Sequence, residues 1–76
     1  MNPLIISHTA QDFAQALKII HLVWEIAEKQ NHHPNIKLHS YKQLEFELFT
    51  HDAGKVTKKD EALWKEIDKI LLNFSS

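Results

Sequence analysis

The sequence predicts an α+β domain in which two helices cover one face of a small antiparallel sheet. Three observations carry that prediction. Two stretches repeat apolar residues at spacings of three and four, while shorter stretches either run apolar or alternate apolar with polar. Read along the chain, these give the order β-α-β-β-α, with no internal repeat, linker or low-complexity segment. The 76 residues fill one domain, 1–76, and leave no room for a Rossmann or barrel enzyme. At 43% hydrophobic and 25% charged, the chain is of ordinary globular composition rather than a disordered tail or coiled-coil rod.

Pro3 to His8 reads as an edge strand, because a proline near the start cannot donate to a ladder on one side. Thr9 with Asp12 has the form of a capping box, after which Phe13, Leu17, Ile20, Trp24 and Ala27 mark a helical stripe through Lys29. Asn31-His32-His33-Pro34-Asn35 ends that helix, since the residue before proline is driven out of the helical region. Ile36, Leu38 and Ser40, then Leu44, Phe46 and Leu48, alternate with polar or outward residues, giving a hairpin with one apolar face and a connection over Ser40 to Gln43. The segment from Thr50 to Val56 is a loop holding the sole glycine, Gly54. Thr57 with Asp60 opens a second helix carrying Leu63, Trp64, Ile67, Ile70, Leu71 and Phe74. Lys58-Lys59-Asp60-Glu61 is expected to be its solvated first turn, and both Trp24 and Trp64 to pack in the core or at a subunit contact.

Nine lysines, no arginine and a formal charge of -1 argue against nucleic acid as a partner, because phosphate and guanine recognition favour the guanidinium fork. No cysteine is present, which removes disulfides, thiolate metal sites and cysteine nucleophiles. The amino end has neither a basic signal-type region nor a long apolar run, so the expectation is a cytoplasmic protein without a membrane span. A core this small is marginal, and a homo-oligomer is expected to supply the missing stability.

Histidine is the unusual residue, with six in the chain. His8, His21 and His39 have no local partner and are expected at the surface. His32, His33 and His51 instead fall in the two loops that bound the hairpin, where a scaffold presents reactive groups. An imidazole near neutrality both gives and accepts protons, which points to acid/base chemistry. Metal binding by these histidines with Asp52 or Glu28 is the weaker reading, because adjacent His32 and His33 diverge in extended backbone and no HExxH pair exists. Glu28 lies one helical turn before the corner, where it either orients an imidazole or stands solvated beside Lys29 in the last helical turn.

Glu28-Lys29-Gln30-Asn31-His32-His33-Pro34, then Tyr41, then Thr50-His51-Asp52-Ala53-Gly54-Lys55-Val56-Thr57-Lys58-Lys59-Asp60, together resemble the pterin-4a-carbinolamine dehydratases, whose animal members also act as dimerisation cofactors of a homeodomain transcription factor. The resemblance covers the chain from about Leu4 onward. It implies removal of water from a 4a-hydroxytetrahydropterin to give the quinonoid dihydropterin, with the pterin as substrate and neither cofactor nor metal. His32, His33 and His51 would be the catalytic residues, His32 and His51 as the acid/base pair and His33 chiefly binding substrate. The pterin site would be lined by Glu28, Asn31, His32, His33, Phe49, Thr50, His51 and Asp52. The resemblance also implies a homodimer or homotetramer, and a coactivator or assembly role through a protein partner as the alternative function. Two departures from the family stand out: its usual first helix and strand are not represented ahead of Leu4, and Gly54-Lys55 stands where two glycines are usual.

Overall fold

The computed structural model describes residues 3–50 and 53–74. The elements follow the expected order: β1 (Leu4–Thr9), α1 (Phe13–Gln30), β2 (Asn35–His39), β3 (Gln43–Leu48) and α2 (Lys58–Asn73). The three strands form one antiparallel sheet in the order β1-β3-β2, so the hairpin's second strand is central and β1 is an edge. Leu44, Phe46 and Leu48 of β3 are buried beneath the helices, and the register aligns Ile6 and Ile36 with Phe46. The opposite face of β3 carries Glu45 and Glu47.

Several boundaries and faces differ from the sequence reading. Thr9 is the last residue of β1 and bonds the Gln43 side chain, so it does not cap α1. Asp12 is the cap: its Oδ1 accepts the Gln15 N–H at 2.8 Å, while Gln15 Oε1 reaches back to the Gln11 N–H at 2.7 Å. The hairpin connection is Ser40 to Lys42, with Ser40 and Tyr41 both at positive φ, and Gln43 already belongs to β3.

The largest correction concerns α1. Ala16, Ile19, Val23 and Ala27 form its buried face, whereas Phe13, Leu17 and Trp24 are about half exposed. Two apolar stripes run along this helix, and the one with smaller side chains lets the helix approach its neighbours closely. The rings of Phe13 and Trp24 lie on the outward side of the helix, and Phe46 of β3 is the aromatic ring buried in the core. On α2 the expected stripe holds for Leu63, Ile67, Ile70 and Leu71, but Trp64 is also exposed. Neither tryptophan is a core residue. His21 and His39 are at the surface as expected, while His8 is partly buried, and its Nε2 has no partner among the described residues. No described helix is long and apolar enough to cross a membrane.

Candidate functional site

The corner after α1 is fixed by its backbone. Asn31 adopts the left-handed conformation at φ 51°, its N–H bonding the Glu28 carbonyl, and the His32 N–H bonds the Ala27 carbonyl at 3.1 Å. This is a Schellman closure with asparagine where glycine is most often found, and Pro34 prevents the helix from resuming. Locked in this way, the chain sends the side chains of His32 and His33 to different carboxylates.

His32 turns inward. Its ring is 14% exposed, and Nε2 lies 2.6 Å from Oδ1 of Asp60, a carboxylate with no solvent exposure. The other oxygen of Asp60 accepts the Thr50 hydroxyl at 2.6 Å and the Thr57 backbone N–H at 2.9 Å, and the Thr50 and Thr57 hydroxyls lie 2.8 Å apart. Burial alone would push the Asp60 carboxyl up. The bonds from His32, Thr50 and Thr57, with the charge of His32, outweigh it and hold the group below its ordinary value. An ionised Asp60 only accepts, so the Nε2 of His32 that faces it is the donor in this contact.

His33 turns outward. Its Nε2 is 3.2 Å from Oε1 of Glu28, and both side chains are more than half exposed. The carboxylate placed to orient an imidazole therefore serves His33, and His32 has a different partner.

The second loop follows β3 and is pinned at Thr50, whose N–H bonds the Lys55 carbonyl at 3.1 Å and whose carbonyl accepts from Ala53 and Lys55. Gly54 at φ 66° makes this tight return possible. An open cavity of about 560 Å³ lies beside it, lined by Thr50, Ala53, Thr57, Lys58 and Lys59. His51 and Asp52, expected in the site, lie outside the described residues. Of the other expected residues, Thr50 joins the Asp60 network, Asn31 shapes the corner through its backbone, and Phe49 is partly buried immediately before Thr50. Among the described residues no group of three or more His, Asp or Glu side chains is gathered to hold a metal ion.

Asp60 is the residue whose importance the sequence reading missed. Expected in a solvated first turn, it is instead fully buried, and it completes the capping box of α2 while holding His32. The signal was periodic: Asp60 stands three residues before Leu63 and seven before Ile67, on the stripe that faces the core. A carboxylate on that stripe requires a buried donor.

Residues 2–70 match the model of the family described as pterin 4 alpha carbinolamine dehydratase. A relative from Nostoc punctiforme that is named for this family is 40% identical over 69 residues, covering 91% of this chain and 73% of its own. One from Sulfurisphaera tokodaii is 40% identical over 60 residues, covering 79% of this chain and 63% of its own. A solved structure from Brucella melitensis, titled a transcriptional coactivator/pterin dehydratase, superposes with a TM-score of 0.84 at 26% identity, over 91% of this chain and 72% of that one.

Proposed function

Since this chain belongs to the pterin 4 alpha carbinolamine dehydratase family, we propose that it dehydrates a 4a-hydroxytetrahydropterin to the quinonoid dihydropterin by histidine acid/base catalysis. The observation that carries this reading is the 2.6 Å contact of His32 with the wholly buried Asp60. A histidine meant only for the surface has no use for a desolvated, ionised partner. An acid/base histidine does, because such a partner fixes its tautomer and the orientation of its ring.

The reaction breaks the C4a–O bond. An imidazolium gives its proton to the departing hydroxyl, which leaves as water, and a neutral imidazole takes the proton lost from a ring nitrogen. His32, acting through Nδ1, and His51, which directly follows Thr50, form this pair in the proposal. His33, held by Glu28, binds the pterin, with Asn31, Phe49, Thr50 and Asp52 lining its site. Proton transfer alone accounts for the chemistry, so the rate is expected to withstand exhaustive chelation. The test is the disappearance of a synthetic carbinolamine: turnover above the spontaneous rate supports the proposal, and a wild-type rate equal to the spontaneous one overturns it.

A second reading, as a protein-binding factor, draws on the exposed Phe13, Leu17 and Trp24 of α1 and on the double title of the Brucella melitensis structure. It predicts a stable protein complex in the absence of catalysis.

A further inference from the structure

We propose that Trp24 is a positioning residue for His33, acting through Glu28; this rests on the dehydratase reading of the site. Trp24 and Glu28 are one turn apart on the outward side of α1, a spacing that places one side chain over the other. The indole Nε1–H donates to Glu28 Oε1 at 3.3 Å, and the same oxygen faces His33 Nε2 at 3.2 Å. Two donors thus converge on one carboxylate oxygen. An exposed glutamate otherwise samples many rotamers, and ordering it has an entropic cost that a single exposed pair hardly recovers.

The indole is itself held in place. Its ring is 5.4 Å from that of His21, whose Nε2 pairs with Glu25 at 2.7 Å. The α1 surface thereby supplies a chain of contacts from His21 through Trp24 and Glu28 to His33. The half-exposed Trp24 thereby has a role through its N–H that is separate from any packing of its ring. Because a carboxylate only accepts, His33 donates from Nε2 in this contact, which would leave Nδ1 for a ligand. Trp24 makes no claim on the reacting atoms, and its contribution falls on binding.

The experiment is a double-mutant cycle of Trp24→Phe and Glu28→Gln in the full chain. It is read as KM and kcat for the carbinolamine and, independently of turnover, as the Kd of a stable 7,8-dihydropterin by equilibrium dialysis. Trp24→Phe keeps the apolar ring and removes only the N–H. The single change is expected to raise KM and Kd about three- to tenfold, the range of one ordinary hydrogen bond, with kcat within twofold and the thermal midpoint unchanged. In the Glu28→Gln background it should add less than twofold, because the two groups act as one unit. Trp64→Phe, an exposed tryptophan outside the network, should leave all these values unchanged. Unaltered KM and Kd in Trp24→Phe, or losses that multiply in the double variant, overturn the inference while leaving the dehydratase reading intact. A wild type that neither turns over the carbinolamine nor binds the dihydropterin overturns both.

Discussion

His32 and His33 are neighbours in the chain and opposites in environment. One meets a carboxylate without solvent exposure at 2.6 Å, the other a mostly exposed carboxylate at 3.2 Å. A single peptide step separates them, yet the corner after α1 directs the first toward α2 and the second back along α1. The inner pair is tied into the capping of α2 and the start of the Thr50 loop, so its geometry is inseparable from the fold. The outer pair rests on side chains alone. A protein that needs one rigid and one adaptable imidazole at the same corner obtains both from the adjacent residues before a proline.

The widest separation between the two is expected in catalysis. His32→Ala should lower the dehydration rate by about 10²- to 10⁴-fold, the usual contribution of an acid/base group, whereas His33→Ala should act mainly on KM. Asp60→Asn should approach the His32→Ala loss without removing the imidazole. The amide can still accept from Thr50 and Thr57, but its NH2 then faces Nε2 and selects the opposite tautomer. Steady-state kinetics of the three variants check this ordering, and equal kcat losses at both histidines would erase the distinction drawn here.

Stability should divide in the same way. Asp60→Ala leaves the Thr50 hydroxyl, the Thr57 N–H and His32 without their acceptor, and breaking a buried pair costs about 3–5 kcal/mol. That is a large share of the whole stability of so short a chain, at about 0.05–0.15 kcal/mol per residue. Urea unfolding measures it directly.

How far the sequence foretold this site depended on whether the deciding contact was local. The corner at His32-His33-Pro34, the Thr57–Asp60 cap and the hairpin were all legible because each is made within a few residues. The His32–Asp60 contact joins positions 28 apart, and no local rule connects them. The apolar stripe of α1 was misassigned for another reason. The expected stripe of Phe13, Leu17, Ile20, Trp24 and Ala27 and the buried one of Ala16, Ile19, Val23 and Ala27 both satisfy helical spacing and share Ala27, so periodicity alone does not choose between them. Hydrophobicity alone ranks the larger rings as more buried.

Acid titration sharpens the comparison further. The Asp60 carboxyl is held below its ordinary value near 3.8 in the folded protein, so ionised Asp60 favours the fold at every pH above the unfolded-state value. That contribution is lost as the pH falls through the lower, folded-state value. The urea midpoint of the wild type should therefore decline in the acid range below about pH 4, and the decline should be shallower in Asp60→Asn, which has no proton to take up at this position. An identical acid slope in both proteins would show that other carboxylates govern it.

Self-association is the next effect in size. The outer side of α1 continues from Trp24 to Leu17 and Phe13, and Trp64 is exposed on α2. We predict that a homo-oligomer covers this surface, with the larger stripe of α1 as its main contact. Leu17→Lys should shift the sedimenting mass toward monomer more than Trp64→Lys does, and make the thermal midpoint fall with dilution. A wild type that sediments as a monomer at micromolar concentration removes this expectation.

The smallest effect belongs to the outer pair, and it makes the most exacting test. With both side chains more than half exposed, the Glu28–His33 contact gains little from Coulomb attraction and is screened by salt. Glu28→Gln should change the unfolding free energy by less than about 0.5 kcal/mol. The same substitution should still weaken pterin binding, because glutamine no longer demands the proton on Nε2 and two tautomers of His33 compete for the ligand. Stability and binding are thereby separated at one residue, whereas at Asp60 stability and catalytic rate move together. Urea midpoints and the dihydropterin Kd, measured on the same preparation, decide the point. A Glu28→Gln protein that lost several kcal/mol would place this carboxylate in the structural framework, and the contrast between the two histidines would then be one of degree.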